Sequence, residues 1–309
     1  MVQISPDLER LAREDSVVAP LAALQAIALE AAAEPGWDTG VPALGQNSLA
    51  DGTPLLHGLT LTVDRDRQRA LLIRLADALA RHRGADLHTL TVLLRSESFG
   101  PLTLLAASLT QDTATVERLA DEVEIESAVL AVVAHTSTLP LLLACGRRAE
   151  PLVRSAAWSE GVCPVCAAWP TLAEIRGLAR DLVLRCGRCA TAWKGEQGAC
   201  TFCGNQDHQT LGYLAADQER ESRRAVVCDA CHGYLKTMAT LGALAPADLL
   251  VRDLQSLELD MAALDGGYER PDGLGFDLAV TIESAPSEPD DRSTASASGD
   301  RRGWRRWLG

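Results

Sequence analysis

Aromatic side chains are scarce in this sequence, which has six Trp, three Tyr and three Phe among its 309 residues. So few aromatic groups exclude a core that rests on ring packing, and Leu, Ala and Val must supply most of the buried surface. Because Leu and Ala favour helix, the composition predicts a helix-rich fold. A hydrophobic content of 47% is ordinary for a globular protein, and the length suits about two domains.

Basic residues are also few relative to acidic ones. Lys and Arg number 29 against 42 Asp and Glu, which gives a net charge of −13. An acidic molecule is repelled at long range by phosphate backbones and by anionic lipid surfaces. The charge balance therefore disfavours nucleic acid and membranes as partners of the molecule as a whole.

A secretory signal is not recognisable in the first residues, MVQISPDLERLARED, which lack a charged start, an apolar run and a small-residue cleavage site. We therefore expect a cytoplasmic protein. Residues 127–146 are uncharged over nearly the length of a membrane span, but polar residues and Pro140 interrupt them, and we interpret them as buried core. Cytoplasmic thiols stay reduced, which favours metal ligation over disulfides for the nine cysteines.

The pattern over residues 1–157 predicts a helical domain. Apolar residues recur there at three- and four-residue spacing, as at Leu71, Leu72, Leu75 and Leu79. A loop is expected from Pro35 to Pro54, where Gly and Pro are frequent. We predict helices near residues 6–33, 64–83, 101–110, 113–125 and 127–145.

The character of the sequence changes near residue 158, where cysteines and glycines become frequent. Short apolar runs at residues 182–184 and 225–227 predict strands between turns. We divide this part into two tandem rubredoxin-like or zinc-ribbon modules, residues 158–198 and residues 199–240. Together with the helical domain, they make the predicted fold class α+β.

The last part of the chain predicts one helix followed by disorder. Residues 241–270 carry a single apolar stripe, from Leu250 to Leu264, which Gly266 and Gly267 close. Residues 271–309 are expected to form a disordered acidic linker, rich in Ser, Pro, Asp and Glu, and an Arg/Trp tail, RRGWRRWLG. Such a tail could contact an anionic surface, a nucleic acid or a partner protein, or it could remain a solvated tail without a partner.

Eight of the nine cysteines form four C-x-x-C pairs. Two such turns placed face to face make a tetrahedral cage of four sulfurs. The first two pairs are separated by 19 residues and the last two by 24, long enough for a hairpin between them. We assign one metal to Cys163, Cys166, Cys186 and Cys189, and a second to Cys200, Cys203, Cys228 and Cys231.

Other arrangements of these cysteines remain open at this point. An interleaved cross-brace would let the first and third pairs share a metal. A dithiol oxidoreductase would use one C-x-x-C pair at a helix N-terminus beside a βαβ unit, and the sequence gives no sign of such a unit. The four closely spaced pairs favour metal over dithiol chemistry.

A cage closed by four protein sulfurs leaves no position for a substrate or water, so we predict no catalytic residues and no enzyme activity. Zinc would be purely structural, whereas iron could pass an electron. Residues 163–236 carry nine basic and eight acidic side chains, and each divalent tetrathiolate site adds a net charge of about −2. The modules thus suit protein better than phosphate.

The cysteine-rich segments resemble a known family. The runs that carry the resemblance are CPVCAAWPTLAEIRGLARDLVLRCGRCATAW, CTFCG, CDACHGYLK and DLQSLELDMAALDGGYERP. Over residues 158–271 they are similar to the C-terminal half of the formate dehydrogenase accessory proteins, the FdhE family. The resemblance implies a cytoplasmic maturation factor that binds the catalytic subunit of a molybdopterin-containing formate dehydrogenase and has no turnover of its own. It also implies that the eight paired cysteines hold metal, with iron as the expected metal.

The sequence departs from a rubredoxin pattern at one kind of position. Rubredoxin knuckles favour Gly directly after the second cysteine, and only Gly204 fits, whereas Ala167, Ala190 and His232 occupy the other three positions. This departure keeps zinc beside iron as a candidate metal. The leading hypothesis is a formate dehydrogenase accessory protein, and the alternative is a zinc-ribbon nucleic-acid-binding regulator that uses the Arg/Trp tail.

Overall fold

The computed structural model describes residues 6–14, 17–45, 47–83, 88–96, 99–216, 218 and 221–285. Its helices are α1 (Pro6–Arg13), α2 (Ala19–Ala33), α3 (Asn47–Ala50), α4 (Arg65–Arg83), α5 (His88–Arg95), α6 (Pro101–Thr110), α7 (Thr113–Glu122), α8 (Ser127–Ser137), α9 (Leu139–Ser155), α10 (Pro246–Leu254) and α11 (Leu257–Asp265). Its strands are β1 (Leu59–Val63), β2 (Leu172–Arg176), β3 (Asp181–Arg185), β4 (Ala192–Lys194), β5 (Leu211–Leu214), β6 (Arg223–Cys228), β7 (Tyr234–Thr240) and β8 (Val280–Ser284). The predicted α+β class is confirmed.

Helix α4 lies at the centre of the helical part and contacts α2, α5, α6 and α8. Its N-terminus is capped by Asp64, whose carboxylate accepts hydrogen bonds from the amides of Asp66 and Arg67, each over 2.9 Å. The apolar stripe identified in the sequence is buried on this helix. The amphipathic pattern thus places α4 in the core.

Two of the predicted helices are divided. Segment 6–33 forms α1 and α2, and segment 127–145 separates at Thr138 into α8 and α9. Pro140 stands in the first turn of α9, where its missing amide costs nothing, and this favours a new helix start. Among the described residues, the stretch Ser127–Ser155 is long and apolar enough to cross a membrane, but 78% of its most apolar window is buried inside the protein, which confirms that it is core.

The two cysteine-rich modules share one sheet. Strands β2, β3 and β4 form an antiparallel unit in the first module, and β5, β6 and β7 form another in the second. Strands β2 and β7 pair in parallel, with Leu172 opposite Lys236. The resulting order is β4-β3-β2-β7-β6-β5, so the modules are joined by a continuous hydrogen-bond ladder.

The C-terminal segment differs from the single helix that the sequence predicts. It forms α10 and α11, which separate at Gln255 and Ser256. The Ser256 hydroxyl donates to the carbonyl of Arg252 over 2.8 Å, an interaction that bends helices. Helix α10 packs against α1 and α2, whereas α11 packs against β5, β6 and β7. The predicted stripe is therefore buried only on α10, at Leu250 and Leu254, whereas Met261 and Leu264 of α11 are exposed and Leu259 and Ala263 are buried in their place.

Strand β8 corrects a second expectation. Residues 271–285 lie within the segment predicted to be disordered, yet Val280–Ser284 pair in parallel with Leu59–Val63. Val280 and Ile282 pack against the core, and Thr281 between them is exposed, which is the alternation of a strand with one buried face. Residues 286–309, which include the Arg/Trp tail, lie outside the described residues.

The largest cluster of buried side chains extends from the helices into the first module. It includes Leu24 and Leu104 from the helical part together with Cys163 and Trp193. The amides of Leu55 and Leu56 donate to the carbonyls of Pro164 and Val165, over 2.8 Å and 3.1 Å. The predicted boundary at residue 157 therefore runs through a shared core.

Candidate metal centres

Each C-x-x-C pair occupies a loop of the same design. The amide of the first cysteine donates to the carbonyl five residues later, over 2.8 to 3.0 Å in all four loops. The residue after the second cysteine has left-handed backbone angles in every case: φ is 62° at Ala167, 59° at Ala190, 71° at Gly204 and 56° at His232. Three of the knuckles thus keep this conformation without glycine. The left-handed backbone at each of these positions costs about 1–2 kcal/mol of strain energy.

The first group of sulfurs, which we term the inner cluster, comprises Cys163, Cys166, Cys186 and Cys189. The sulfur atoms of Cys163 and Cys189 are 3.4 Å apart, those of Cys166 and Cys186 3.5 Å, and those of Cys166 and Cys189 3.7 Å. All four side chains are buried, with at most 2% of any residue exposed.

The second group, which we term the outer cluster, comprises Cys200, Cys203, Cys228 and Cys231. Its sulfur atoms are 3.6 Å apart between Cys200 and Cys231 and 3.8 Å apart between Cys203 and Cys228. Cys203 and Cys231 are exposed to solvent, in contrast to every member of the inner cluster. The two clusters thus share a donor set and differ in access.

The grouping follows the sequential assignment of the cysteine pairs. The first pair meets the second, the third meets the fourth, and the sulfur atoms of each group lie within 4.8 Å of one another. The interleaved arrangement is therefore not the one that this fold adopts. Cys145 stands apart within α9, where burial raises the pKa of its thiol to about 12, so it remains a protonated apolar side chain.

The distances fit a tetrahedral ion. Sulfurs about 2.3 Å from a zinc ion lie about 3.8 Å from one another at the corners of a tetrahedron, and the observed separations of 3.4 to 3.8 Å are close to that value. The cysteines are free thiols without a disulfide. Each cluster could therefore hold one metal ion, and both zinc and iron accept four thiolates.

Arg188, within the second knuckle, fastens the inner cluster to the helical part. Its buried guanidinium donates to the carbonyl of Ser108 over 2.8 Å and to that of Leu109 over 3.3 Å, at the C-terminal end of α6, where the helix dipole favours a cation. Hydrogen bonds with the other three thiols, helped by the charge of Arg188, hold the pKa of Cys166 well below its usual range. These contacts favour the thiolate form of Cys166.

The outer cluster is supported by polar neighbours of its own. Asn205 donates to the sulfur of Cys228 over 3.6 Å and to the hydroxyl of Thr210 over 2.7 Å. Partial burial acts to raise the pKa of Cys228, but amide hydrogen bonds from the Cys231 loop and the Asn205 side chain lower it to about 7. These donors favour thiolate over thiol at the cluster.

A buried charge network lies between the second module and the C-terminal helices. The Lys236 ammonium is 2.6 Å from a carboxylate oxygen of Asp253 and 2.7 Å from one of Asp260. Arg270 lies 2.8 Å from Asp260, and the Tyr234 hydroxyl donates to that carboxylate over 2.8 Å. Two cations face two anions, so the charges are paired although Lys236 is fully buried.

Residues 199–274 match the family model described as the FdhE C-terminal domain. The matched region contains the outer cluster, α10, α11 and every residue of the charge network. The chain therefore carries a region similar to the C-terminal domain of the FdhE family.

Several proteins named FdhE homolog are similar to the chain. The one from Pseudomonas aeruginosa is 35% identical over 120 residues, which cover 36% of this chain and 38% of that protein. The one from Rhizobium meliloti is 28% identical over 207 residues, which cover 65% of this chain and 58% of that protein. The chain thus matches less than two thirds of the length of these FdhE relatives.

The FdhE fold extends beyond the matched domain. The crystal structure of the FdhE protein from Pseudomonas aeruginosa superimposes with a TM-score of 0.54 and covers 88% of this chain and 93% of that one, at 23% identity. The shared fold therefore includes the helical part as well as the two cysteine-rich modules.

The charge network is the feature of this chain that the cysteine spacing does not reveal. Its members come from the segments CHGYLK, DLQSLELD and GYERP, which carry the family resemblance without any metal-ligand pattern. The sequence signal for this network was an acidic helix stripe with a lysine before it and an arginine after it. The structure shows that these residues join α10 and α11 to the second module through ion pairs and hydrogen bonds.

Proposed function

We propose that this protein is an accessory factor for the maturation or activation of a molybdopterin-containing formate dehydrogenase, and that it binds the catalytic subunit through its metal-stabilised modules. The observation that carries the proposal is an FdhE C-terminal domain whose cysteines converge into two four-sulfur clusters. The FdhE fold over 88% of the chain supports the same conclusion.

The eight paired cysteines are proposed to hold one zinc or iron ion in each cluster. Four protein sulfurs complete a tetrahedral shell, which suits a structural or electron-transfer ion and leaves no vacant position for hydrolysis. We therefore propose that the protein acts in the cytoplasm by contact, without turnover of its own. The ions stabilise the knuckle loops, and these loops form the surface for the partner.

The proposal is tested in a strain whose gene for this protein is deleted. Extracts of that strain should fail to oxidise formate, and the full chain should restore the activity. The matched variants are Cys228→Ala, which removes a proposed ligand and should not restore it, and Cys145→Ala, which removes a cysteine outside both clusters and should. Normal formate oxidation in the deletion strain would contradict the proposal.

Partner binding and metal content are measured separately. A tagged chain should retain the dehydrogenase catalytic subunit from extracts, and elemental analysis should find two metal ions per chain. A visible sulfur-to-iron charge-transfer band would identify iron, and colourless protein with two zinc ions would identify zinc. A salt-dependent shift of DNA or RNA in a gel, without capture of the subunit, would instead support the nucleic-acid-binding alternative.

A further inference from the structure

The two clusters differ in how closely protein surrounds their sulfurs. The inner cluster lies within the main hydrophobic core, together with Leu104 and Trp193. Arg188 ties its second knuckle to α6, and the Thr191 hydroxyl lies 3.0 Å from the sulfur of Cys189. A ligand from solvent could reach these sulfurs only after the helices had separated from the first module.

The outer cluster is open from several directions. Cys203 and Cys231 are exposed. Cys200 and Cys203 line a cavity of about 350 Å³, and Cys200 and Cys228 line a cleft of about 630 Å³ between the modules. No inner-cluster cysteine lines either space. Solvent therefore reaches the outer cluster at Cys203 and Cys231, while the buried Cys200 and Cys228 lie in the walls of these spaces.

We propose that the outer cluster is a metal-exchange site for a soft divalent cation, whereas the inner cluster keeps its ion until the fold opens. The inference rests on the proposal above that both clusters bind metal. In the exchange step, donor atoms of an external chelator or thiolate would replace the four cysteine thiolates of the ion one after another. The freed thiolates stay ionised or take protons from the buffer, and no oxidation takes place.

The ring and hydroxyl groups near the outer cluster hold the loops in place during exchange. The Tyr268 hydroxyl donates to Asp229 over 2.6 Å, and its ring centroid lies 6.2 Å from that of His232. The amide of Glu269 donates to the carbonyl of His232 over 2.8 Å. Because these contacts do not involve the sulfurs, the fourth knuckle can keep its position when the ion leaves.

The test uses the full chain loaded with two equivalents of Zn²⁺ and mixed with an excess of 4-(2-pyridylazo)resorcinol. One equivalent should be released rapidly, and the second at least about tenfold more slowly, because its release requires a packed core to open. Far-ultraviolet circular dichroism should remain unchanged after the first phase. Release of both equivalents at one rate would contradict the proposal.

Alkylation identifies the site that has lost its ion. After the first phase, iodoacetamide should modify Cys203 and Cys231 but leave Cys163 and Cys189 unmodified when peptides are mapped by mass spectrometry. Modification of the inner cysteines first would overturn the assignment. This measurement uses the unaltered chain, so its result does not depend on the folding of a variant.

Two variants complete the experiment. Cys203→Ala should bind one Zn²⁺ and lack the rapid phase, whereas Cys145→Ala should retain both phases. A chain that takes up no Zn²⁺ would contradict the metal sites of the proposed function as well. Two tightly bound ions with a single release rate would contradict only the exchange proposal, and formate oxidation tests the accessory role independently of both.

Discussion

Single residues set the shape of the metal loops through their backbone angles. His232 has a φ of 56° and is exposed, so its side chain gains little from burial while its backbone is in the left-handed region. Ala167 and Ala190 accept the same conformation. The hydrogen bonds of the knuckle, and the sulfur positions that they fix, therefore outweigh the preference of these residues for other angles.

We expect His232→Gly to stabilise the chain by about 0.5 kcal/mol, since relief of about 1–2 kcal/mol of left-handed strain exceeds the greater freedom of glycine in the unfolded state. His82→Gly is the matched control, because His82 is exposed within α4 and the change should cost about 0.5 kcal/mol there. Urea unfolding of the metal-loaded proteins measures both. A loss of stability in both variants would contradict the strain argument.

Within the charge network, we expect substitution of Lys236 to lower the free energy of unfolding the most. Lys236→Met leaves Asp253 and Asp260 with Arg270 as the one remaining cation of the network, and we expect a loss of about 3 kcal/mol. Arg118→Met removes an exposed ion pair with Glu122 and should cost less than about 0.5 kcal/mol. Equal losses in thermal or urea unfolding would show that the network contributes no more than a surface pair.

At the scale of elements, the sequence identifies those whose signal is local. The four C-x-x-C pairs predict both clusters because a knuckle is formed by adjacent residues, and α4 follows from the spacing of its leucines. The break at Ser256 was missed because the apolar stripe continues across it without Gly or Pro. Strand β8 was missed because five residues beside a polar segment carry little pattern.

Substitutions in strand β8 test whether residues 280–284 are ordered, in contrast to the disorder that the sequence predicts. Ile282 is partly buried against the core and Thr281 points to solvent. We expect Ile282→Ala to destabilise the chain by about 1–2 kcal/mol and Thr281→Ala by no more than about 0.5 kcal/mol. If both substitutions had comparable, small effects on the melting temperature, the result would support the disorder predicted from the sequence for this segment.

At the scale of the whole molecule, the difference between the inner and outer clusters could not be predicted from the sequence. The cysteine spacings are alike, and burial of the inner cluster depends on Arg188 meeting α6 about 80 residues away. The parallel pairing of β2 with β7 likewise joins segments 64 residues apart. Contacts at such separations leave no periodic pattern in a single sequence.

The shared core predicts that residues 1–157 do not fold alone. A fragment of this length lacks strand β8 and the first module, which cover Leu61 and Leu56 in the full chain. We expect its helical circular dichroism to melt gradually, in contrast to a cooperative transition for the full chain. A sharp, reversible transition of the fragment would establish an independent helical domain at the predicted boundary.

The pairing of β1 with β8 also affects how the chain is made. About 220 residues separate the two strands, and at 5–20 residues per second a ribosome needs about 10–45 s to synthesise that interval. During this time the partner of Leu59–Val63 does not exist. The edge of β1 and the leucines beneath it must be kept from wrong partners until β8 emerges, so folding of the amino-terminal helices is completed only after β8 has been synthesised.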